Sequence, residues 1–228
     1  MHTDGSPAPS PFGGLGRLRK AYLGALVAPD AQEARSLVAD ALESGVGADR
    51  IYLQVLHPAM HEIGRLWERA QLSVAQEHLA TQITQSVLAQ IAHELVPGRD
   101  TGRGRTALAA CTPGERHVLG AQMVADFLEA DGWRAEIVPA GATADELARR
   151  ARDTDATLVA LSTALPHNLL AAAHAFSVIR HIPHRPLLIA GGQAYGGDAE
   201  RARVVGADAF AADPEALLAI VAERLAIA

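Results

Sequence analysis

The segment from Glu115 to Gly120 combines residue types that can hold a metal ion. Histidine is the commonest side-chain ligand for transition metals, and His117 supplies one. Its second ring nitrogen needs an acceptor that fixes the tautomer and makes the imidazole more basic, and Glu115, two residues earlier, can supply that acceptor. Gly120 has no side chain, so a bulky group can approach the backbone there. These features make His117 a candidate metal ligand, the alternative being an ordinary polar residue of the loop.

Short apolar runs alternate with helical segments after Arg105, and this alternation places the histidine segment in a fold. Repeated strand–helix units imply a parallel sheet covered by helices on both faces. Ligands bind such sheets beyond the carboxyl ends of the strands, and the histidine segment directly follows the first strand. The predicted strands are residues 106–111, 134–138, 157–162, 187–190 and 207–211, and the predicted helices include 118–130, one capped by Thr143, 168–180 and one beginning at Asp213-Pro214.

The part of the chain before this sheet is predicted to be helical. Residues 15–97 contain four helical segments with short connections, which suits a small bundle. Asp30 with Glu33 and Ser73 with Gln76 are capping pairs, and Pro58 predicts a kink. By composition, residues 1–14 are predicted to be a flexible tail and residues 98–104 a linker. The predicted domains are therefore a bundle at 15–97 and an α/β domain at 105–228.

Glu115-x-His117-x-x-Gly120 resembles the D-x-H-x-x-G signature of flavodoxin-like cobalamin-binding domains, with Glu in place of Asp. Further along, Thr163-x-Leu165 resembles the Ser-x-Leu segment of that family, and Gly191-Gly192 matches its glycine pair. The resemblance implies a four-helix bundle followed by a flavodoxin-like, five-stranded, parallel, doubly wound domain. It also implies that His117 replaces the cofactor's dimethylbenzimidazole as lower axial ligand to cobalt. The extra methylene of Glu115 must then be absorbed by the loop. The cofactor-binding residues implied in this domain are Glu115, Arg116, His117, Val118, Gly120, Ser162, Thr163, Leu165, Gly191, Gly192 and Gln193.

Trp67 followed by Glu77-His78 gives the pattern W-x9-E-H, which resembles the cap of cobalamin-dependent photoreceptors. In that cap the tryptophan shelters the upper axial group, typically 5′-deoxyadenosyl. Glu68 stands where those photoreceptors have a histidine, so cobalt coordination through this position after illumination is not expected. Water, hydroxide, His61 or His78 can serve instead. The cap residues implied to contact the cofactor are Trp67, Glu68, Val74, Glu77 and His78.

The resemblance implies a light-responsive cobalamin sensor without enzymatic activity. It would bind adenosylcobalamin, or alternatively methyl- or hydroxocobalamin, in the base-off/His-on form, and change conformation when light cleaves the cobalt–carbon bond. The alternative is the corrinoid methyl-carrier subunit of a methyltransferase system, which shares the bundle and the histidine loop. The Trp67 cap favours the sensor because it would obstruct an incoming methyl acceptor.

Composition restricts the partners and the compartment. The formal net charge of −6 argues against a free-standing nucleic-acid binder. The 14-residue tail is too short for a helix-turn-helix module, so any regulation of transcription is expected to act through a partner protein. An exposed bundle face can also support a homo-oligomer. No apolar run reaches the ~20 residues that span a bilayer, and a lone Cys111 without a signal peptide predicts the reducing cytoplasm.

Overall fold

The computed structural model describes residues 14–96 and 104–225. The chain divides into two compact units, Met1–Val96 and Pro97–Ala228, which are considered separately below. Apart from Gly14 and Gly104, the predicted tail and the predicted linker lie outside the described residues. Within the described residues, no helix is both long and apolar enough to cross a bilayer.

The first unit is built from helices. A π-helical turn, Tyr52–Leu56, joins α3 to α4 without a break, and a 3-10 turn, Ala92–Glu94, follows α5. Counting the joined segments as one, the described residues form four helical segments, as the sequence predicted. The helices are α1 (Leu15–Val27), α2 (Ala31–Glu43), α3 (Ala48–Ile51), α4 (His57–Glu68) and α5 (Val74–Ile91).

Capping and buried hydroxyls explain how these helices begin and pack. The Ser73 side chain and the Gln76 side chain satisfy each other's backbone N–H groups at the start of α5, which is the predicted capping box. Two buried tyrosines tie other segments to α5. The Tyr22 hydroxyl donates to Thr84 Oγ1 at 3.1 Å, and the Tyr52 hydroxyl donates to the Leu88 carbonyl at 3.2 Å. Because a buried hydroxyl is costly when unpaired, these bonds fix how the segments pack against α5.

The irregularity in the third helical segment, which joins α3 to α4, lies directly before Pro58. In the π-helical turn the His57 N–H donates to the carbonyl of Tyr52, five residues earlier. Pro58 has no N–H, and in a regular α-helix its ring would clash with the carbonyl four residues before it. The wider turn immediately before the proline relieves that clash. A local change of helix type is therefore found directly before the proline at which the sequence predicted a kink.

The second unit is a parallel sheet with helices on both faces. Its described strands are hydrogen-bonded in the order β2-β1-β3-β4-β5, which confirms the flavodoxin-like prediction. The short helix α9 was not predicted. The strands are β1 (Thr106–Cys111), β2 (Arg134–Ile137), β3 (Leu158–Ser162), β4 (Leu187–Gly191) and β5 (Ala209–Ala211); the helices are α6 (Leu119–Ala130), α7 (Ala144–Asp153), α8 (Leu169–Arg180), α9 (Ala199–Val204) and α10 (Pro214–Leu225), with 3-10 turns at Pro166–Asn168 and Gln193–Tyr195.

Alternation along the strands divides the core between the two faces. Leu108 and Ala110 pack with α7 and α8, whereas Ala107 packs on the opposite face with α6 and α10. The strand register then brings the carboxyl ends level: Cys111 pairs with Ser162, and Ser162 pairs with Gly191. The fold therefore presents the loops after β1, β3 and β4 side by side at one edge of the sheet.

Candidate functional site

The candidate site lies where the strand order reverses. Strand β2 lies on one side of β1 and β3 on the other, so the chain changes direction between β1 and β3. Crevices outside the carboxyl ends of the strands at such a point are the usual ligand sites of open α/β sheets. The segment with Glu115 and His117 follows β1, and the segment with Thr163 and Leu165 follows β3.

The structure brings His117 and Glu115 into direct contact. His117 Nδ1 lies 2.6 Å from Glu115 Oε2, a short, charge-assisted hydrogen bond. The Glu115 side chain is fully buried, whereas that of His117 is 39% exposed. With Nδ1–H donated to the carboxylate, the neutral ring carries its lone pair on Nε2, the nitrogen that suits a metal. The extra methylene of glutamate therefore does not prevent the predicted pairing.

The loop absorbs the longer side chain by holding its other oxygen. Glu115 Oε1 accepts hydrogen bonds from the backbone N–H groups of Ala164 at 3.0 Å and Leu165 at 2.9 Å. Burial raises the pKa of Glu115. The His117 ring, the Leu165 N–H and the nearby Asn168 amide outweigh that effect, so the pKa lies below its ordinary value of 4.5. The carboxylate is therefore ionised at neutral pH and fixed from two strand ends.

Replacing Glu115 with glutamine should remove a contribution to folding stability that is present at neutral pH and lost in acid. A carboxyl group whose pKa is lower in the folded protein stabilises it above the unfolded value, and that contribution is lost as the pH falls below about 4.5. The free energy of unfolding of Glu115→Gln should therefore be about 1–3 kcal/mol lower at pH 7, because buried donors lose a charged acceptor. The difference from the unsubstituted protein should shrink towards pH 4. Urea unfolding at both pH values measures it.

Glu129→Gln is the matched control, because the shift at Glu129 has the opposite sign. Burial, followed by the neighbouring Asp126, raises the pKa of Glu129. Its ionised form therefore destabilises the folded protein, and the substitution should not reduce stability at pH 7 through this effect. Equal losses in the two variants at pH 7 would contradict the role given to the Glu115 carboxylate.

The predicted glycines lie where packing is close, and the constraint is strictest at Gly192. A Cβ on Gly120 would lie 2.5 Å from Ser162 Oγ. Gly192 has φ +101°, and a Cβ there would lie 2.8 Å from both the carbonyl carbon and the amide nitrogen of Thr163. A Cβ on Gly191 would lie 3.1 Å from the Ala211 carbonyl oxygen. The pair predicted to leave room for the cofactor's tail thus also lets the loops after β3, β4 and β5 pack together.

A chain of buried hydroxyls lies behind the loops and was not predicted. Thr163 Oγ1 lies 2.8 Å from Thr112 Oγ1 and 3.2 Å from the Tyr195 hydroxyl. All three residues are fully buried. The hydroxyl of Thr163, which the sequence predicted as a cofactor contact, therefore forms hydrogen bonds within the protein. Thr112 directly follows β1, its partner Thr163 follows β3, and the Tyr195 that Thr163 also contacts follows β4, so sequence spacing alone gave no signal.

The remaining predicted residues of this unit lie around the same strand ends. His117, Val118 and Leu165 are half-buried, as is Ser162, the last residue of β3. Arg116 and Gln193 are exposed, and Gln193 begins the 3-10 turn after the glycine pair. In the described part of the chain, no group of three or more His, Cys, Asp or Glu residues can hold a metal ion. A single imidazole suits a metal whose other positions are filled by a macrocycle, so the residues present fit a corrin-bound cobalt.

In the bundle, the predicted cap residues gather around the turn between α4 and α5. Trp67 is partly buried near the end of α4, and Glu68 is its exposed last residue. The chain then reverses through Ala70, whose φ is +55°. Val74, 54% exposed, begins α5, and Glu77 in its first turn accepts a hydrogen bond from the Thr81 hydroxyl at 3.0 Å.

Two histidines that the sequence named as alternative ligands differ in their surroundings. The His78 side chain is 67% exposed, and its Nε2 lies 3.6 Å from Glu77 Oε2. His61 is half-buried against His57, with ring centroids 4.1 Å apart. Burial, followed by His57 and Arg65, lowers the pKa of His61 to about 4, so its imidazole is neutral at pH 7.

Comparisons with known proteins agree with this geometry. Among curated proteins, the HTH-type transcriptional repressor CarH of Myxococcus xanthus is 31% identical over 145 residues. The match covers 64% of this chain and 47% of the relative, so it spans about half of the relative's length. Among solved structures, the Methanosarcina barkeri monomethylamine corrinoid protein has a TM-score of 0.77 at 17% identity, covering 91% of this chain and 99% of that chain, and so shares the fold.

Two family models match the two units in turn. Both are described as B12 binding domain; one matches residues 18–92, within the bundle, and the other matches residues 105–221, which include the whole sheet. These domains indicate a cobalamin or related corrinoid cofactor. The chain belongs to the B12-binding domain family.

Proposed function

We propose that this protein is a light-responsive cobalamin sensor that holds adenosylcobalamin with His117 as the lower axial ligand and signals through a partner protein. The observation that carries the proposal is the 2.6 Å contact between His117 Nδ1 and Glu115 Oε2. That contact favours the tautomer with its proton on Nδ1, in which Nε2 can donate its lone pair to a metal. Ser162, Thr163, Leu165, Gly191, Gly192 and Gln193 are proposed to line the slot for the cofactor's nucleotide tail.

The bundle supplies the second part of the proposal. When bound, an alkylcobalamin supplies a cobalt–carbon bond that light breaks, and this photochemistry belongs to the cofactor. The chain's own residues shield and position it: the Trp67 indole excludes water, and the Thr81 hydroxyl orients the Glu77 carboxylate. Loss of the upper group would leave these cap residues without a contact, which biases the bundle between two arrangements.

The similarity to an HTH-type transcriptional repressor supports a role in regulation for this protein. Here the formal net charge of −6 favours contact with a protein partner over nucleic acid. Glu68 makes a poorer ligand than histidine for cobalt after illumination, so we propose that water, hydroxide or the neutral His61 takes that position.

The test compares protein loaded with adenosylcobalamin in the dark before and after a pulse of green light. Photolysis of the free cofactor also changes colour, so the decisive readout is the protein itself: its elution volume in size-exclusion chromatography and its pattern of limited proteolysis. We expect a lasting change in both after illumination. Protein loaded with hydroxocobalamin, which has no alkyl group, is the control and should not respond to the pulse.

The same preparation distinguishes the methyl-carrier alternative. If light leaves elution and proteolysis unchanged while the methylcobalamin form passes its methyl group to an acceptor in the presence of methyltransferase enzymes, the protein is a carrier and the sensor proposal fails. Trp67→Ala adds a matched test, because opening the cap should reduce the light response without removing His117 coordination.

A further inference from the structure

Asn168 occupies a capping position but does not cap its helix. It directly precedes α8, where asparagine is among the most favoured residues because its side chain accepts a hydrogen bond from the first turn. Its side chain makes no such bond here, although the corresponding Ser73, Thr143 and Asp198 side chains each cap their helices. The Asn168 side chain is therefore used for something else.

That side chain lies against the loop that carries the axial ligand. Asn168 Oδ1 is 3.6 Å from the position that a Cβ on Gly114 would take, and the amide interacts with the Glu115 carboxylate. Its Nδ2 is buried and makes no hydrogen bond within the described residues. A buried amide donor with no partner is unfavourable, so an acceptor at this position would stabilise the loop.

Glu115 has the capacity to accept that bond. A carboxylate offers about four lone-pair sites. The described hydrogen bonds to its side chain come from three donors, His117, the Ala164 N–H and the Leu165 N–H. Thr163, by contrast, is engaged with Thr112 and Tyr195. Asn168 is thus the side chain from the loop after β3 that is placed to act on this carboxylate.

We propose that Asn168 is a positioning residue for the axial ligand: a small rotation of its side chain lets Nδ2 donate to Glu115, and this bond holds the His117 ring in the orientation and tautomer that suit Nε2 to cobalt. The inference rests on the proposed role of His117. The proposal adds Asn168, from the loop after β3, to the pair formed by His117 and Glu115. The start of α8 is then coupled to His117 through two hydrogen bonds, one from Asn168 to Glu115 and one from His117 to Glu115.

The test uses Asn168→Ala and Asn168→Asp, with His167→Ala as the matched control. His167 is an exposed neighbour in the same 3-10 turn. Because Asn168 makes no capping bond, Asn168→Ala should fold normally, and thermal melting checks this. Asn168→Asp keeps the size of the side chain but replaces the donor with a second carboxylate beside Glu115, so its effect should be larger.

The first readout needs no cofactor. Nitrogen-15 chemical shifts of the His117 ring at pH 7.5 report which nitrogen carries the proton. We expect mainly Nδ1–H in the unsubstituted protein and in His167→Ala, and a mixture with more Nε2–H in the two Asn168 variants. Unchanged ring shifts in both Asn168 variants would overturn the proposal.

The second readout is the dissociation constant for hydroxocobalamin, with the nitrogen splitting in the electron paramagnetic resonance spectrum of the cob(II)alamin form. We expect about tenfold weaker binding and a weaker splitting in Asn168→Ala, the lower end of the range for groups that orient a metal ligand. Binding equal to that of His167→Ala would contradict it. If the unsubstituted protein shows no nitrogen splitting, the proposed role of His117 fails, while the ring shifts still decide the role of Asn168.

Discussion

Replacing His117 with alanine is expected to weaken hydroxocobalamin binding by about 100-fold or more, since groups that merely orient a metal ligand already account for roughly 10- to 100-fold. The substitution removes the imidazole that the buried Glu115 holds at 2.6 Å. It also leaves that carboxylate without its charge-assisted partner, at a cost of about 1–3 kcal/mol. Any cobalamin that remains bound should have water or its own dimethylbenzimidazole at the lower position.

The measurement combines equilibrium dialysis with the absorption spectrum of the bound fraction and the nitrogen splitting of the cob(II)alamin form. His167→Ala again serves as the control, because it removes an exposed imidazole two residues beyond Leu165. The assignment of His117 would be wrong if His117→Ala retained both full affinity and a splitting from a protein nitrogen. Loss of binding in both variants would point to a general effect on the fold instead.

Gly192→Ala is expected to lower the free energy of unfolding by about 2–6 kcal/mol. Gly192 has φ +101° and ψ +167°, a region that is essentially restricted to glycine and costs other residues about 1–3 kcal/mol. The added Cβ would also lie 2.8 Å from two backbone atoms of Thr163, and forcing an atom into packed structure costs about 1–3 kcal/mol more. Backbone atoms cannot rotate away as a side chain can, so both costs apply.

Gly197→Ala isolates the conformational part of this effect. Gly197 has φ +77°, and a Cβ there would meet nothing within 4 Å. Its substitution should cost about 1–2 kcal/mol from backbone strain alone. Urea unfolding of both variants measures the difference. Equal losses of unfolding free energy in the two variants would mean that the contact with Thr163 adds no cost to a side chain at position 192.

Much of the fold was predictable because its signals are local. Four of the five described strands are short apolar runs, and some of the helices carry their own start signals, such as the complete capping box formed by Thr143 and Glu146. Repeated strand–helix units then predict a parallel sheet covered on both faces, whereas the flavodoxin-like strand order was implied by the family resemblance. The π-helical turn was missed because it depends on how the chain accommodates Pro58 within a packed bundle. The six-residue helix α9 was missed because it is too short to show a helical period.

The candidate site was likewise predictable only where its contacts are local in sequence. Glu115 and His117 were predicted to interact because they lie two residues apart in one loop. What fixes the carboxylate comes from a loop about 50 residues later, through backbone N–H groups that carry no sequence signal. Asn168 was missed because it was predicted only as the first residue of a helix, and its distance from Glu115 along the chain gives no signal of a contact. The cofactor contacts assigned to the other site residues stay predictions.

The π-helical turn also has a consequence for how the bundle can change by insertion and deletion. A π-helical turn holds one residue more than an α-helical turn. Deleting one residue from Tyr52–Leu56 would therefore restore a regular turn and leave α4 in nearly its present orientation relative to α3. A deletion from a regular part of the same helices would instead rotate everything after it by about 100°. Related sequences can therefore lack this one residue and still keep the W-x9-E-H residues in the same orientation on the bundle.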